Sequence, residues 1–224
     1  MLRRLAATVL AASALAPALW AVRGLAQQIP GPETALPAPD REGGMTLHLA
    51  LAARRSQRAF TGQDLTDREV GQLCWAAQGI TQESTGYRTA PSGQHLYPVV
   101  LYVVNARGAH EYIPKGHLLK RVRDTAAQAD LRRAAGQPSI VSAPVSLVVA
   151  LNMTAMEKAG PNAEKFAFLE AGHVAQNVLL EATALGLASV PAGGVDEASV
   201  SRALQLPSGF RVAYVMPVGH PAAQ

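Results

Sequence analysis

Apolar and polar residues follow patterns whose period changes several times along this chain, and each period predicts an element. In "LTDREVGQLCWAAQGI", Val70, Leu73, Cys74 and Ala77 recur at i, i+3, i+4 and i+7, the spacing that lines one face of a helix. Thr66 stands at the N-cap, Asp67 and Glu69 occupy the first turn, and Gly79 closes the pattern, so both ends of this helix are marked. "MTLHLALAARRS" carries Leu47, Ala50 and Leu51 at the same spacing, and ordered structure is expected to start near Met45. "DTAAQADLRRAAG" and "SVSRALQL" read as two further helices. "LYPVVLYVVN" (96–105) is a β-branched and aromatic run of strand length, with "HEYIP" after the "ARG" turn as its partner strand. "APVSLVVALN" reads as a strand buried on both faces, and "RVAYVMPVGH" as a final strand. The longest pattern is "PNAEKFAFLEAGHVAQNVLLEATALGL", a helix starting at Pro161 and ending near Gly186. It is apolar over most of its circumference, which places it in a core or a subunit interface. Helices and strands interleave, with more helix than strand and no internal repeat. The predicted class is an α+β sandwich, a central sheet with flanking helices.

Two stretches lie outside these periods. "QQIPGPETALPAPDREGG" (27–44) is rich in Pro and Gly and has no apolar period, which reads as a linker or an extended arm. Before it come the basic start "MLRR", an apolar run broken by Pro17, and "GLA" ahead of "QQ". This order predicts a signal peptide over residues 1–26, cut after Ala26. The alternative is an uncleaved membrane anchor, because the run is nearly long enough to span a bilayer. Either way the mature domain is expected to be periplasmic or secreted. The paired Arg3 and Arg4 leave general and twin-arginine export both open.

Composition narrows the picture. A chain of 224 residues with 49% hydrophobic residues can bury a substantial core, and residues 45–224 fit one globular domain. The formal net charge is only +4, and no Lys/Arg run of the kind that marks a nucleic-acid tail occurs. Cys74 is the single cysteine, which excludes an internal disulfide and a cysteine-based zinc site. Its place in the middle of a helical apolar pattern makes it a small buried hydrophobe rather than a nucleophile.

Four stretches offer chemistry. "ARRSQRAF" sets Arg54, Arg55 and Arg58 around Ser56. At a helix end Arg54 and Arg58 would share a face and could grip a phosphate by charge-assisted bonds. The plainer alternative is a solvated basic helix end that complements the helix dipole. "RTAPSGQHLYP" places Pro91, Ser92 and Gly93 in a turn just before a core strand, or in an ordinary loop. In "VPAGGVD", Pro191 restricts the backbone, while Gly193 and Gly194 allow a planar ligand to approach main-chain N–H groups. The alternative is a plain turn. Glu170, His173 and Asn177 share one side of the long helix by spacing. A single Glu-x-x-His is too little for a di-iron site, so no metal is expected, and the trio reads as a buried hydrogen-bonded cluster at an interface.

Taken in order, "RRSQRAF", "LCWAAQGIT", "RTAPSGQHLYPVVLYVVN", "EYIPKGHLL", "FLEAGHVAQNVLLEATALGLASVPAGG" and "VMPVGHP" resemble the FMN-dependent nitroreductase family, with SagB-type azoline dehydrogenases as the nearest branch. The resemblance runs from about Leu51 to Pro221. It implies a three-layer sandwich with a mostly antiparallel sheet, and a homodimer with FMN in the interface at the long helix. It implies that Arg54, Ser56 and Arg58 hold the flavin phosphate and ribityl chain, with Arg55 nearby. Pro91, Ser92 and Gly93 would approach the flavin from the second subunit, and Pro191, Gly193 and Gly194 would lie over its ring. Two places depart from the pattern. Where the azoline branch carries a Lys-Tyr pair before the long helix, this chain has Lys158-Ala159. Lys158 is then the remaining candidate proton acceptor, and efficient azoline oxidation is not expected. Many members also carry basic residues beyond the last strand, whereas only "PAAQ" follows His220 here. The expected function is electron or hydride exchange between FMN and a small planar organic molecule. The alternatives are a non-catalytic flavin-binding accessory protein, an azoline dehydrogenase of modified peptides, and a binding domain without flavin.

Overall fold

The computed structural model describes residues 31–223. The expectations on residues 1–26 therefore lie outside the described residues. In chain order come β1 (Glu33–Ala35), α1 (Leu47–Ala53), α2 (Asp67–Gln78), β2 (Ile80–Gln82), β3 (Tyr87–Arg88), β4 (Val99–Asn105), β5 (Gly108–Ile113) and β6 (Leu118–Arg123). The second half holds α3 (Ala126–Ala135), α4 (Pro138–Ser142), β7 (Val145–Asn152), α5 (Ala163–Ala184), β8 (Ala188–Ser189), α6 (Glu197–Leu204) and β9 (Phe210–Gly219). Seven strands form one antiparallel sheet in the order β1-β6-β5-β4-β7-β9-β8, and β2 with β3 forms a separate hairpin.

The central strands are apolar on both faces because both faces are covered. Leu101 and Val103 of β4 and Leu147, Val149 and Leu151 of β7 join one core cluster with Leu73 of α2 and Val174 and Val178 of α5. Their neighbours Tyr102, Val104, Val148 and Ala150 face the other way, into a cluster with Leu131 of α3, Ile140 of α4 and Val200 and Leu204 of α6. Each such side chain contributes roughly 1.5–3 kcal/mol on burial. The result is the α+β sandwich of central sheet and flanking helices that the alternation of periods predicts, with the three layers that the resemblance implies.

Helix α2 forms as its sequence dictates. Thr66 Oγ1 accepts from the Glu69 amide at 3.2 Å, and Glu69 Oε2 accepts from the Thr66 amide at 2.7 Å, a reciprocal cap. Helix α5 buries Ala167, Glu170, Ala171, Val174, Ala175, Val178, Leu179 and Ala182, a three-and-four spacing that gives one stripe. Phe168, Leu169, His173 and Gln176 face outward. Val178 and Leu179 belong to the chain's own core, so a charge there would break the fold rather than an interface.

Three expectations are corrected. Ordered structure starts before Met45, because Glu33–Ala35 pairs with Leu118–Lys120 and Leu36 is buried. Residues 31–44 are an arm fastened to α2, where Gln72 Oε1 accepts from the Asp40 amide at 2.8 Å and Arg68 pairs with Asp40 at 2.7 Å. Pro161 does not open α5 but sits in a 3-10 segment, Thr154–Asn162, broken by Gly160 at φ 57°. The arginine stretch is extended rather than helical, since α1 ends at Ala53.

Candidate functional site

Helix α1 stops at Ala53 because the chain beyond it is captured by distant backbone. Arg54 already has ψ 122°. The Gln57 amide donates to Ser189 O at 3.0 Å, the Ala222 amide to Ala59 O at 3.1 Å, and the Thr61 amide to His220 O at 2.8 Å. Bonds at every second residue mark extended chain, in which residues two apart point the same way. Residues 57–61 are therefore held extended along distant backbone. Arg55 and Gln57 line a cavity of about 170 Å³ with Leu179, Thr183 and Ser189.

The three arginines are not equivalent. Arg55 Nη1 donates to Ala52 O at 2.9 Å and Arg54 O at 2.8 Å, so it closes the end of α1. Among the described residues, the side chains of Arg54 and Arg58 have no hydrogen bond or ion pair. Arg54 is half-buried, and Ser56 and Arg58 are exposed.

Pro191, Gly193 and Gly194 stand on the same sheet edge. Ala192 and Val215 exchange both backbone bonds at 3.0 Å, which prolongs β8 along β9. A methyl group on Gly193 would lie 3.3 Å from the Tyr214 ring, whereas nothing lies within 4 Å of one on Gly194. Beside them the Ser189 hydroxyl is buried without a partner. The fold thus sets the arginine stretch against Ser189, just ahead of the glycine turn, although the two are far apart in sequence. The residues after His220 serve to clamp Ala59 and Phe60.

Pro91, Ser92 and Gly93 are elsewhere. Ser92 Oγ accepts from the Tyr97 amide at 2.8 Å. Gln94, His95 and Tyr97 have φ of 56°, 57° and 46°, and such strain persists only where surroundings enforce it. Tyr87 stacks on His95 with centroids 5.2 Å apart, and the Arg88 guanidinium lies 4.3 Å above Tyr97. Gly93 lets the turn touch α5, since a methyl group there would sit 2.9 Å from Phe166. Phe166 and Thr183 are separated by about 25 Å along the helix at 1.5 Å per residue. One chain therefore does not unite the Pro-Ser-Gly turn with the arginine edge.

Lys158 is exposed on the 3-10 segment at the Phe166 end of α5. Its neighbour Ala159 is 7% exposed and part of the core, so that place holds no side chain able to move a proton. Glu170, His173 and Asn177 do not cluster. His173 faces outward, and Asn177 Nδ2 donates to Thr89 O at 3.3 Å. Buried Glu170 instead accepts at Oε1 from Gln78 Nε2 at 3.3 Å and the Val99 amide at 3.4 Å. Gln78 Oε1 in turn accepts from Arg88 Nη1 at 3.0 Å. Burial pushes Glu170 above the ordinary carboxylate range, offset in part by Ser92, Val99, Gln78 and Arg88. Burial likewise pushes the Cys74 thiol up, away from nucleophile chemistry.

The profile of the Nitroreductase family matches residues 51–220. The chain belongs to the nitroreductase family. A relative named as a nitroreductase in Methanocaldococcus jannaschii is 36% identical over 177 residues, 75% of this chain and 88% of its own. A crystal structure named as a nitroreductase of Ralstonia eutropha JMP134 superposes with a TM-score of 0.78 at 30% identity, covering 86% of this chain and 90% of that one. The NADPH:FMN oxidoreductase of Vibrio harveyi, solved with NAD+, shares the fold with a TM-score of 0.59 at 24% identity over 79% of this chain and 69% of its own. Residues 31–50, with the sheet edge at β1, lie outside the matched span.

Proposed function

We propose that this nitroreductase-family chain is an FMN-dependent oxidoreductase that works as a homodimer on small planar organic molecules. The observation that carries the reading is the pair of guanidiniums, Arg54 and Arg58, without partners among the described residues, on a stretch whose Gln57 amide bonds to Ser189, two residues before Pro191. A flavin phosphate carries about −1.5 to −2 charges, which suits two arginines and a serine hydroxyl within five residues of non-helical chain. The open space at Gly194 and the buried, unpaired Ser189 hydroxyl also fit a bound group. Arg54, Ser56 and Arg58 would hold the phosphate and ribityl chain, and the main chain at Pro191, Gly193 and Gly194 would meet the ring. FMN, when bound, supplies the hydride or electron transfer itself.

Pro91, Ser92 and Gly93 would come from a second copy, which accounts for their separation from the arginines in one chain. Leu47, Leu51 and Leu169, which are 62%, 51% and 51% exposed, offer the apolar surface that such a contact needs. The substrate class follows from Lys158 and Ala159. An exposed lysine beside a buried alanine is a poor proton acceptor for azoline oxidation, so the SagB-type activity is not the one we propose. Nitroaromatics and quinones need no dedicated side-chain base. Residues 1–26 support export, in which case the electron donor is not the soluble cytoplasmic nicotinamide pool.

The test is reconstitution of the purified protein with FMN, followed by chemical reduction and stopped-flow mixing with a quinone, beside a parallel assay on a thiazoline peptide. A bound flavin spectrum that bleaches on reduction and returns on mixing with the quinone is expected. Failure to retain FMN, or thiazoline oxidation without quinone turnover, overturns the reading.

A further inference from the structure

The arm ahead of α1 is fastened to the body at two places. One is Asp40, bonded to Gln72 and Arg68. The other is a single histidine in the turn between β5 and β6. The Leu36 amide donates to His117 O at 3.0 Å, and His117 Nε2 lies 3.0 Å from Pro37 O. On the far side of the ring, Nδ1 lies 2.9 Å from the Tyr112 hydroxyl. His117 holds φ 49°, a conformation that persists only where surroundings enforce it. Helix α2 reaches the same point through Gly71, where a methyl group would sit 3.3 Å from His117 Nε2 and 3.5 Å from Pro37 O. Two consecutive residues of the arm therefore hang on one residue of the body.

The partners fix the state of the ring. Pro37 O can only accept, so Nε2 carries a hydrogen. In the neutral imidazole Nδ1 then has a lone pair, which accepts the Tyr112 O–H. A second proton would go to Nδ1 and meet that hydroxyl hydrogen head on. Tyr112 is 3% exposed, and among the described residues His117 is the one hydrogen-bond partner of its hydroxyl. The hydroxyl has nowhere else to turn its hydrogen, and a buried hydrogen left without an acceptor is costly. The protonated ring relieves the conflict by swinging out, and the bond to Pro37 leaves with it. We propose that His117 is an acid-sensitive clasp: neutral, it docks residues 31–39 on the body, and protonated, it releases them and uncovers the edge of β6.

Charge around the ring acts in the same direction. Arg41 of the arm and Glu83 of the β2–β3 turn line one cavity with His117, and Lys115 stands two residues away in its own turn. Gly71 and Trp75 of α2 bring no charge, and Cys74 and Arg88 lie behind Tyr112. Burial holds His117 below the ordinary histidine range; the Pro37 carbonyl offsets this in part, and the Arg41 guanidinium adds to it. An undocked arm leaves His117 free to titrate in the ordinary range. Docking is therefore complete above that range and weakens as the pH falls from it through the lowered native value.

The test is hydrogen exchange on the full chain, with each amide's protection corrected for its intrinsic rate at each pH. From about pH 8 to about pH 5, across the histidine range, the Leu36 amide of wild type should lose about tenfold in protection, the loss of one hydrogen bond. Amides of β4 should keep theirs. His117→Gln retains a donor toward Pro37 but does not titrate, so its Leu36 protection should be flat in pH. Tyr112→Phe keeps the ring and removes the opposing hydrogen, so its loss with acid should be shallower. Constant protection in wild type, an equal loss in β4, or a His117→Gln profile that follows wild type overturns the clasp. Should His117→Gln fail to dock the arm at any pH, Tyr112→Phe decides: a loss as steep as in wild type overturns the proposal, and a shallower one upholds it.

Discussion

The two ends of helix α5 are furnished in opposite ways. Near Thr183 the chain presents Arg54 and Arg58 without partners among the described residues, and a buried Ser189 hydroxyl with none. Near Phe166, Arg88, Gln78, Glu170, Ser92 and Tyr97 are tied by hydrogen bonds, though Glu170 Oε2 has no partner. An end left polar and unpaired is built for something that arrives from outside. An end that is cross-linked and strained is built to hold a shape. About 25 Å of helix separates them; in the proposed homodimer a two-fold axis would let the shaped end of each chain complete the open end of the other.

The largest effect expected from breaking this contrast is at the open end. Replacing Arg54 and Arg58 together by Ala should cost roughly 1.5–3 kcal/mol of FMN binding per lost charge-assisted bond. The melting temperature of the unliganded protein should not fall, because neither side chain holds the fold; flavin fluorescence titration and calorimetry read the two quantities. Next comes the contact between copies. Leu169→Asp places a charge on a side chain 51% exposed in one chain. It should yield folded monomers by light scattering, with flavin lost at the same time. A dimer that survives this change and keeps FMN would put the contact elsewhere.

At the shaped end, Gly93→Ala pushes a methyl group to 2.9 Å from Phe166. Such overpacking typically costs about 1–3 kcal/mol, seen as a lower denaturant midpoint. The smallest effect belongs to the arginine that joins the cluster in sequence but not in space. Arg55→Ala removes two bonds to carbonyls at the end of α1. It should cost about 0.5–1 kcal/mol of stability and leave FMN affinity within about twofold. If Arg55→Ala weakens FMN as much as the Arg54 change does, the division of labour between the arginines is wrong.

How legible these ends were depends on where their partners lie in the chain. Helix α2 could be read from Thr66, Glu69 and Gly79 because its caps are local. Strands β4 and β7 could be read from unbroken apolar runs, since they are covered on both faces. The arginine stretch looked like a helix end because its true partners, Ser189 and His220, are more than a hundred residues away. Strand β1 is three exposed residues set among prolines, held by β6 rather than by its own pattern. Spacing put Glu170 and His173 on one side, but a helix face is about 100° wide, and the edge of the buried stripe falls between them. Gln78 and Arg88 carried no signal, because their meaning comes from Glu170 ninety-two positions beyond Gln78.

The sheet itself has a further consequence for how copies can associate. Among the described residues it ends in β1, three residues long, at one side and β8, two residues long, at the other, where residues 57–61 lie alongside. Neither border offers the long, flat row of free amides and carbonyls that templates a strand from another molecule. Self-association through a growing backbone ladder, the route toward fibres, is closed at both borders. The proposed homodimer would instead be recognised by the side-chain relief of the helices, and a two-fold contact of that kind saturates at two subunits.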